Sequence, residues 1–418
     1  MRISELGPDT TAAQLRALAP DPRDVEDAVR EIVGRVRDGG DAAVVELTRR
    51  FDAAEVASSR LRVDPAEIDA SVALLEPDVL AALRTAIANV RAVVVAQLRK
   101  ATEVELPEGQ RIEIAELPVR RAAAYVPAGR AAYPSTLVMV AITAQSAGVE
   151  QVVACAPPGP EGRANPVILA ACALCGVDEV YRMGGAQSIA ALAFGTETVE
   201  AVDVIAGPGS RWVQEAKRQV SGTVGIDGIA GPSELVVVAD GAQDAHAIAL
   251  DLLAQAEHGD DGIVCLITPD RALVAAVRGQ LEQLAAQRPS VADPPVALVK
   301  ARDPESAVAL ADAVAPEHLE LVGPRSEAMA ERVRAAGCLF VGPASATAFG
   351  DYVAGSNHVL PTGGAARFQS ALSAATFTRR MARVTISAEA ARRLAPAGAT
   401  LARAEGFPVH AESMERRA

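Results

Sequence analysis

The pattern that decides the fold begins at residues 121–129, RAAAYVPAG, where a short apolar run is broken by proline and glycine. Similar runs that end in turns recur at residues 151–155 (QVVAC), 179–187 (EVYRMGGAQ) and 202–210 (VDVIAGPGS), and helical segments separate them. Short apolar runs that alternate with helices are typical of β-α-β units around a parallel sheet. Residues 121–234 are therefore predicted to form a Rossmann-like α/β domain.

A second unit of the same kind follows. Residues 234–239 (ELVVVA) and 262–268 (GIVCLIT) are predicted strands on either side of a helix over residues 245–258. We therefore predict an α/β fold with two Rossmann-like domains, a helical N-terminal segment and a C-terminal tail. The predicted boundaries are an arm at 1–25, a discontinuous domain at 26–120 with 235–373, a second domain at 121–234, and a tail at 374–418.

Composition narrows the possible functions. Half of the 418 residues are hydrophobic but only 3% are aromatic, so the core is predicted to be built from Ala, Val, Leu and Ile. The net charge is −13 and basic residues do not cluster, which argues against a nucleic-acid partner. We found no signal-peptide pattern and no apolar run of membrane-spanning length. The sequence predicts a soluble, cytoplasmic protein.

The five cysteines are scattered, which favours reduced thiols over a disulfide framework. Cys172 and Cys175 form a CxxC pair, but they lie in an apolar run that ends at Gly176 and are predicted to be buried core residues. Cys155 ends a predicted strand. It could be a nucleophile, but no histidine or basic residue adjoins it, so packing is favoured.

Polar candidates for chemistry fall in four places. Gln255 and His258 are three positions apart at a predicted helix end, where an amide oxygen and an imidazole nitrogen on one face could form half of a metal site. The alternative is a C-terminal cap with a solvated neighbour. The other places are Glu317-His318, Asp351 with His358, and Glu405 with His410.

Together these four groups could hold zinc or a similar divalent ion, and Glu317 and His318 could transfer protons. Taken alone, the Glu317-His318 pair would be better explained as part of a polar loop or a helix start. The glycine turns at 184–185 and 207–209 would let the backbone approach a dinucleotide phosphate. Neither turn has the GxGxxG spacing, so spacing leaves nucleotide binding and ordinary turns equally open.

At this point the chain resembles the histidinol dehydrogenase family. The resemblance rests on YVPAG (125–129), GGAQSIAALA (184–193), VDVIAGPG (202–209), VGID (224–227), AGPSE (230–234), QAEHG (255–259), PEHL (316–319) and GDYVAGSNHVLPTGG (350–364). It implies a zinc-dependent, NAD-linked oxidation of L-histidinol to L-histidine in two successive hydride transfers, through a histidinal-level intermediate. This is the final step of histidine biosynthesis.

The resemblance also implies residue roles. Zinc would be held by Gln255, His258, Asp351 and His410, the last from the partner subunit of a homodimer with shared active sites. His318 would be the general base, and Glu317 would activate the water that adds to the aldehyde level.

Substrate and cofactor contacts follow by the same resemblance. Ser233, Glu405 and His358 would line the substrate pocket, together with the zinc ligands and His318. The residues implied for NAD contact are Tyr125, Gln187 and Ser210. Two positions depart from the family pattern. Ser210 stands where the family has asparagine, which loses the two-donor reach of the amide. Thr376 stands where aspartate is expected, at a position predicted to be structural.

Three alternatives remain. A sister dehydrogenase of the same fold would oxidise another small alcohol, such as a sulfonated diol; Glu317, Glu405 and His410 favour the imidazole amino alcohol. A zinc-binding protein without catalysis is disfavoured by Glu317-His318 beside the metal. A thiol-based aldehyde dehydrogenase would depend on Cys155.

Overall fold

The computed structural model describes residues 1–19, 22–128, 131–229 and 231–418. Gly129 and Ala230, which belong to two of the quoted motifs, lie outside the described residues. The strands are β1 (Arg2–Leu6), β2 (Thr102–Glu105), β3 (Arg111–Pro118), β4 (Arg121–Tyr125), β5 (Gln151–Ala156), β6 (Val180–Arg182), β7 (Val204–Ala206), β8 (Gly225–Ile226), β9 (Glu234–Ala239), β10 (Ile263–Thr268), β11 (Pro295–Lys300), β12 (His318–Val322), β13 (Cys338–Val341) and β14 (Thr378–Thr385).

The helices separate the strands much as the sequence predicts. They are α1 (Ala12–Arg16), α2 (Glu26–Asp52), α3 (Pro65–Ser71), α4 (Pro77–Gln97), α5 (Pro134–Ser146), α6 (Pro166–Cys175), α7 (Gly185–Phe194), α8 (Arg211–Val220), α9 (Ala245–Ala256), α10 (Arg271–Ala285), α11 (Pro304–Val314), α12 (Pro324–Glu327), α13 (Thr347–Tyr352), α14 (Ala388–Ala404) and α15 (Pro408–Glu415).

The five-stranded sheet is parallel, with the order β6-β5-β4-β7-β8. If β4 is numbered as strand 1, the strand order is 3-2-1-4-5, the order of a Rossmann half. The direction in which successive strands are added changes between β4 and β7, which is the topological switch point. Both faces are covered by helices. Ala122 and Ala124 pack toward α4, α5 and α6, whereas Ala123 and Tyr125 pack toward α2, α7 and α8. The small side chains of β4 are therefore buried on both faces, as in other parallel sheets.

The six-stranded sheet is also parallel, with the order β1-β11-β10-β9-β12-β13. Counted from β9 it repeats the 3-2-1-4-5 order, and β1 adds an edge strand beside β11. The prediction of two similar Rossmann-like α/β domains is confirmed. A three-stranded antiparallel sheet, β14-β3-β2, lies outside both.

The packing of the N-terminal 97 residues does not follow the predicted grouping. The predicted arm at 1–25 contains β1, which pairs with β11, and the terminal amine lies 2.7 Å from the Asp293 carboxylate. Helix α2 packs on the five-stranded sheet, where Val36 and Leu47 share a core with Ile189 and Ile205. Residues 26–97 therefore do not join 235–373. Apolar spacing predicts an amphipathic helix but not the sheet that covers it.

The C-terminal tail also differs from the prediction, which had helices only. The tail first forms β14, which pairs antiparallel with β3, and then a hairpin of α14 and α15. The hairpin has a small core in which Ala399, Ala402 and Ala411 are buried. Strand β14, TRRMARVT, is mostly exposed and carries three arginines, so it lacks the apolar alternation that would have revealed it.

Helix α4 contradicts the prediction that no apolar segment reaches membrane-spanning length. By length and composition alone, Pro77–Gln97 could cross a bilayer, a criterion that core helices of soluble proteins also meet. Its buried face, which includes Leu83, Val90 and Val94, belongs to the core that α5 shares.

Candidate active site

A cavity of about 510 Å³ lies between the two parallel sheets and contains most of the predicted site residues. One wall comes from the carboxyl ends of β4 and β7, with Tyr125 and residues 207–210. The other wall includes Ser233, Glu317 and His318, at the amino ends of β9 and β12. We call this space the central cavity. The first wall follows the rule that open α/β sheets bind ligands at the carboxyl ends of strands, and the second does not.

The carboxylates of Glu234 and Glu317 hold each other's backbone. The Glu234 amide donates to Glu317 Oε2 at 2.8 Å, and the Glu317 amide donates to Glu234 Oε2 at 3.2 Å. Glu234 also accepts hydrogen bonds from the Gly363 amide at 3.0 Å and from the Arg16 guanidinium. Glu234 therefore links β9 and β12 to the loop at Gly363 and to Arg16 of the N-terminal region, beside the cavity.

His318 is buried and fixed on both sides of its ring. Its Nδ1 lies 3.1 Å from the Glu234 carbonyl oxygen, so Nδ1–H donates there. Its Nε2 lies 3.6 Å from Asp351 Oδ1. Burial lowers the pKa of His318, but the charges of Glu317 and Asp351 outweigh burial and raise the pKa to about 9. The backbone contact fixes the ring so that Nε2 faces Asp351.

The pKa values of the two carboxyl groups beside His318 are shifted in opposite directions. Burial raises the pKa of Glu317 to about 8. Burial also acts to raise the pKa of Asp351, but a hydrogen bond with His318 and the charges of neighbouring histidines outweigh it, and the pKa falls below its usual value. A pKa near 8 lets Glu317 gain or lose a proton close to neutral pH, whereas Asp351 is suited to staying ionised.

Three of the four predicted metal ligands line the central cavity: Gln255, His258 and Asp351. Gln255 lies in the last turn of α9, which ends two residues before His258, so the predicted helix over 245–258 is slightly too long. The Gln255 side chain is buried, and its Nε2 has no hydrogen-bond partner. Gln255 is therefore a polar side chain at the cavity wall whose amide is not fully used by protein partners in the described residues.

The fourth predicted ligand, His410, does not line the cavity of its own chain, and neither does Glu405. Both are exposed on the α14–α15 hairpin. Across the described residues, no three His, Cys, Asp or Glu side chains come together as a metal-binding group. Of the predicted ligand set, the cavity of one described chain thus contains the Gln255 amide, the Asp351 carboxylate and the His258 imidazole, and His410 lies outside it.

The other predicted substrate residues, Ser233 and His358, line the cavity. His358 Nδ1 lies 2.8 Å from the Asp351 carbonyl oxygen, and its Nε2 lies 3.2 Å from Thr136 Oγ1. Burial lowers the pKa of His358, so the ring is held neutral. His358 thus contacts the backbone of Asp351 and not its carboxylate, which faces His318.

The predicted cofactor residues divide into two groups. Tyr125 and Ser210 line the cavity, and the Tyr125 hydroxyl accepts a hydrogen bond from the Gly185 amide at 3.3 Å. A Cβ atom at Gly207 would lie 2.1 Å from the Tyr125 carbonyl oxygen, so this turn requires glycine. Gln187 is 1% exposed and is not a lining residue; its Nε2 donates to Asp52 Oδ2 at 3.3 Å, and Asp52 does line the cavity.

A buried ion pair holds the turn after β7. Lys217, which is 1% exposed, pairs with Asp227 and donates to the Gly207 carbonyl at 3.0 Å. Asp227 Oδ2 accepts from the Gly207 amide at 2.8 Å. Both backbone groups of Gly207 are therefore fixed by charged side chains, which orients the turn toward the cavity.

Sequence reasoning missed four residues: Asp52, Lys217, Asp227 and Glu234. Asp227 and Glu234 end the motifs VGID and AGPSE, and a carboxylate at the end of such a motif was the signal available. Asp52 and Lys217 are charged residues on helices. Such residues usually face solvent, so no comparable signal marks these two.

The cysteines are not placed for nucleophilic chemistry. Cys155 is buried in the core, and burial raises the pKa of its thiol to about 12. Cys172 and Cys175 are buried in the core between α5 and α6, as predicted. A neutral, buried Cys155 thiol argues against the aldehyde dehydrogenase alternative.

Known proteins resemble this chain over nearly its full length. The family model for histidinol dehydrogenase matches residues 16–418. A histidinol dehydrogenase of Cereibacter sphaeroides is 46% identical over 406 residues, which cover 95% of this chain and 93% of the relative. One from Gluconobacter oxydans is 43% identical over 414 residues, covering 97% and 96%.

A crystal structure agrees with the sequence relatives. Histidinol dehydrogenase from Elizabethkingia anophelis superposes with a TM-score of 0.91 at 31% identity, covering 100% of this chain and 98% of that one. The family model, the sequence relatives and the matching crystal structure together show that the chain is an oxidoreductase that belongs to the histidinol dehydrogenase family.

Proposed function

We propose that this protein catalyses the zinc-dependent, NAD-linked oxidation of L-histidinol to L-histidine, the final step of histidine biosynthesis, in two successive hydride transfers. One observation carries the proposal. Glu317 and His318 meet Gln255, His258 and Asp351 in one cavity, whose opposite wall is a Rossmann switch point with a fixed glycine turn.

The donor set fits zinc. Gln255, His258 and Asp351 offer two oxygens and one nitrogen, and His410 of the partner subunit would complete four ligands. When bound, the ion would hold the amino and imidazole nitrogens of histidinol and so orient its alcohol carbon.

The proton chemistry belongs to His318 and Glu317. In its neutral form, His318 would take the alcohol proton at Nε2, because its Nδ1–H is engaged with the Glu234 carbonyl. NAD, when bound, would accept the hydride that leaves the alcohol carbon as this proton is lost. Glu317 would take a proton from the water that adds at the aldehyde level, and His318 would serve again as base in the second transfer.

The tail supports a shared active site in a homodimer. Glu405 and His410 lie outside the cavity of their own chain, on a hairpin that exposes Leu401, Phe407 and Val409. Large exposed apolar residues around two predicted site residues are typical of a segment that packs on another subunit. We propose a cytoplasmic location, in keeping with the reduced cysteines and the need for NAD.

The test is the number of NADH molecules formed per L-histidinol added, with zinc-loaded protein and excess NAD, before and after chelation. We expect two NADH per histidinol, loss of activity on chelation and recovery on adding zinc. One NADH per histidinol would contradict the double oxidation. Turnover of another alcohol but not of histidinol would assign the protein to a sister activity on the same fold.

A further inference from the structure

We propose that Asp52 binds the hydroxyl groups of the cofactor's adenosine ribose and thereby selects NAD over NADP. This inference rests on the proposed function, because it requires a dinucleotide in the central cavity. It assigns the direct contact to Asp52 and gives Gln187 the role of a positioning residue.

The placement of Asp52 carries the argument. Asp52 is the last residue of α2 and lines the cavity wall formed by the five-stranded sheet, as do Tyr125 and Gly185. In the proposed reaction the nicotinamide ring must lie near His318, on the wall formed by the six-stranded sheet. The adenosine half of the cofactor would then lie against the opposite wall, which contains Asp52.

The hydrogen bonding of Asp52 leaves capacity for a ligand. In the described part of the chain, its carboxylate accepts one hydrogen bond, from Gln187 Nε2 to Oδ2 at 3.3 Å. An ionised carboxylate has about four acceptor sites, so most of the acceptor capacity of this cavity-lining residue is left unfilled by the described residues. The two hydroxyls of a ribose are donors of the right kind and spacing to fill it.

Gln187 positions the Asp52 carboxylate by donating a hydrogen bond to it. Gln187 is 1% exposed, and a Cβ atom at Gly185 would lie 2.7 Å from its Oε1. The amide is therefore packed closely against the turn that begins α7. A buried amide with one donor committed to Asp52 acts on a ligand through Asp52.

Local forces disfavour a carboxylate at this position. The C-terminal end of a helix carries partial negative charge, which opposes an anion there. Burial acts in the same direction and raises the pKa of Asp52 to about 6. A carboxylate kept at a helix C-terminus and partly buried at a cavity wall is therefore better explained by ligand binding than by stability.

Selectivity follows from charge. A carboxylate that accepts hydrogen bonds from the ribose hydroxyls would repel the 2′-phosphate of NADP at the same place. A charge-assisted hydrogen bond contributes enough that its loss changes affinity by about ten- to a hundredfold. We therefore expect the wild-type protein to bind NAD at least about tenfold more tightly than NADP.

The first experiment measures binding without turnover. Trp212 is the single tryptophan, and its ring centroid lies 6.4 Å from that of Phe51, the neighbour of Asp52. Titration of NAD and NADP against Trp212 fluorescence, checked by calorimetry, gives both dissociation constants. We expect Asp52→Asn to weaken NAD binding by about tenfold and to bring the two constants within about threefold of each other.

The control is Glu55→Gln, which removes an exposed carboxylate three residues away that does not line the cavity. It should keep the wild-type ratio of the two constants. If melting shows that Asp52→Asn does not fold, Asp52→Ser provides the same test. Adding Gln187→Ala to Asp52→Asn should weaken NAD binding no further, because Gln187 acts through Asp52.

Two outcomes would overturn the proposal: a wild-type protein that binds NADP as well as NAD, or an Asp52→Asn variant that keeps the wild-type ratio. A separate assay of histidinol oxidation tells this failure from that of the proposed function. Selective NAD binding without histidinol turnover would leave the role of Asp52 standing and contradict the assigned substrate.

Discussion

Glu234 and Glu317 exchange backbone-to-carboxylate hydrogen bonds at 2.8 and 3.2 Å across the amino ends of β9 and β12. The Glu234 carbonyl also fixes the His318 ring. The two proposed proton-transfer residues are thus both positioned by Glu234, which itself does not line the cavity.

Replacing Glu234 with glutamine should therefore lower turnover and stability together. The carboxylate serves two backbone amides and the Arg16 guanidinium, and an amide group can keep only one of its two oxygens as an acceptor. At least one buried donor loses its partner, at a cost of about 1–3 kcal/mol. We expect Glu234→Gln to lower kcat by tenfold or more, on the order of a 1.4 kcal/mol barrier change, with zinc content retained. Urea unfolding and steady-state kinetics check this, with the exposed Glu331→Gln as control.

Replacing His318 with asparagine tests whether this residue acts as a base or as a metal ligand. We expect turnover to fall by about 10²–10⁴-fold, because the alcohol proton then has no acceptor of suitable pKa. Zinc content, measured by atomic absorption, should stay at the wild-type value. His258→Asn is the matched control and should lose zinc. If His318→Asn loses zinc as well, His318 is a ligand and its assignment as base is wrong.

The tail can be tested by mixing two inactive proteins. A truncation that ends before Glu405 removes the partner's contribution, and His318→Asn removes the base. Each should be inactive alone. If active sites are shared, a verified heterodimer has one site with both an intact His318 and an intact tail, so part of the activity returns. Heterodimers without activity would mean that each site is built within one subunit.

The sequence predicts the fold well, but it predicts less about how the site is assembled. The two series of short apolar runs are enough to predict two parallel sheets, because each run is bounded by proline or glycine. They do not reveal that the second sheet presents the amino ends of its strands, since neither His318 nor Glu234 carries a signal for direction within the domain pair. The packing of α2 and the pairing of β14 depend on distant residues in the same way. A sequence motif also does not reveal that Gln187, which the family resemblance implies as a cofactor contact, is buried and donates to Asp52.

The last prediction concerns pH and a pair of carboxyl groups, the buried Glu320 and the half-buried Asp251. Glu320 accepts hydrogen bonds from the Thr347 amide at 2.7 Å and from its hydroxyl, and so holds the start of α13, which presents Asp351. Asp251 on α9 is its neighbour. Burial, and then the charge of Glu320, raise the pKa of Asp251 from 3.8 to about 7.

A carboxyl group whose pKa is higher in the folded state takes up a proton on folding. Its favourable contribution to stability is complete below about pH 4 and is lost as the pH rises through 7. Asp251→Asn cannot ionise, so its melting temperature relative to wild type should increase between pH 5 and pH 8. Thermal unfolding of both proteins at several pH values, without added metal, measures the difference. A difference that is constant with pH, or that decreases toward pH 8, would show that Asp251 ionises freely in the folded protein.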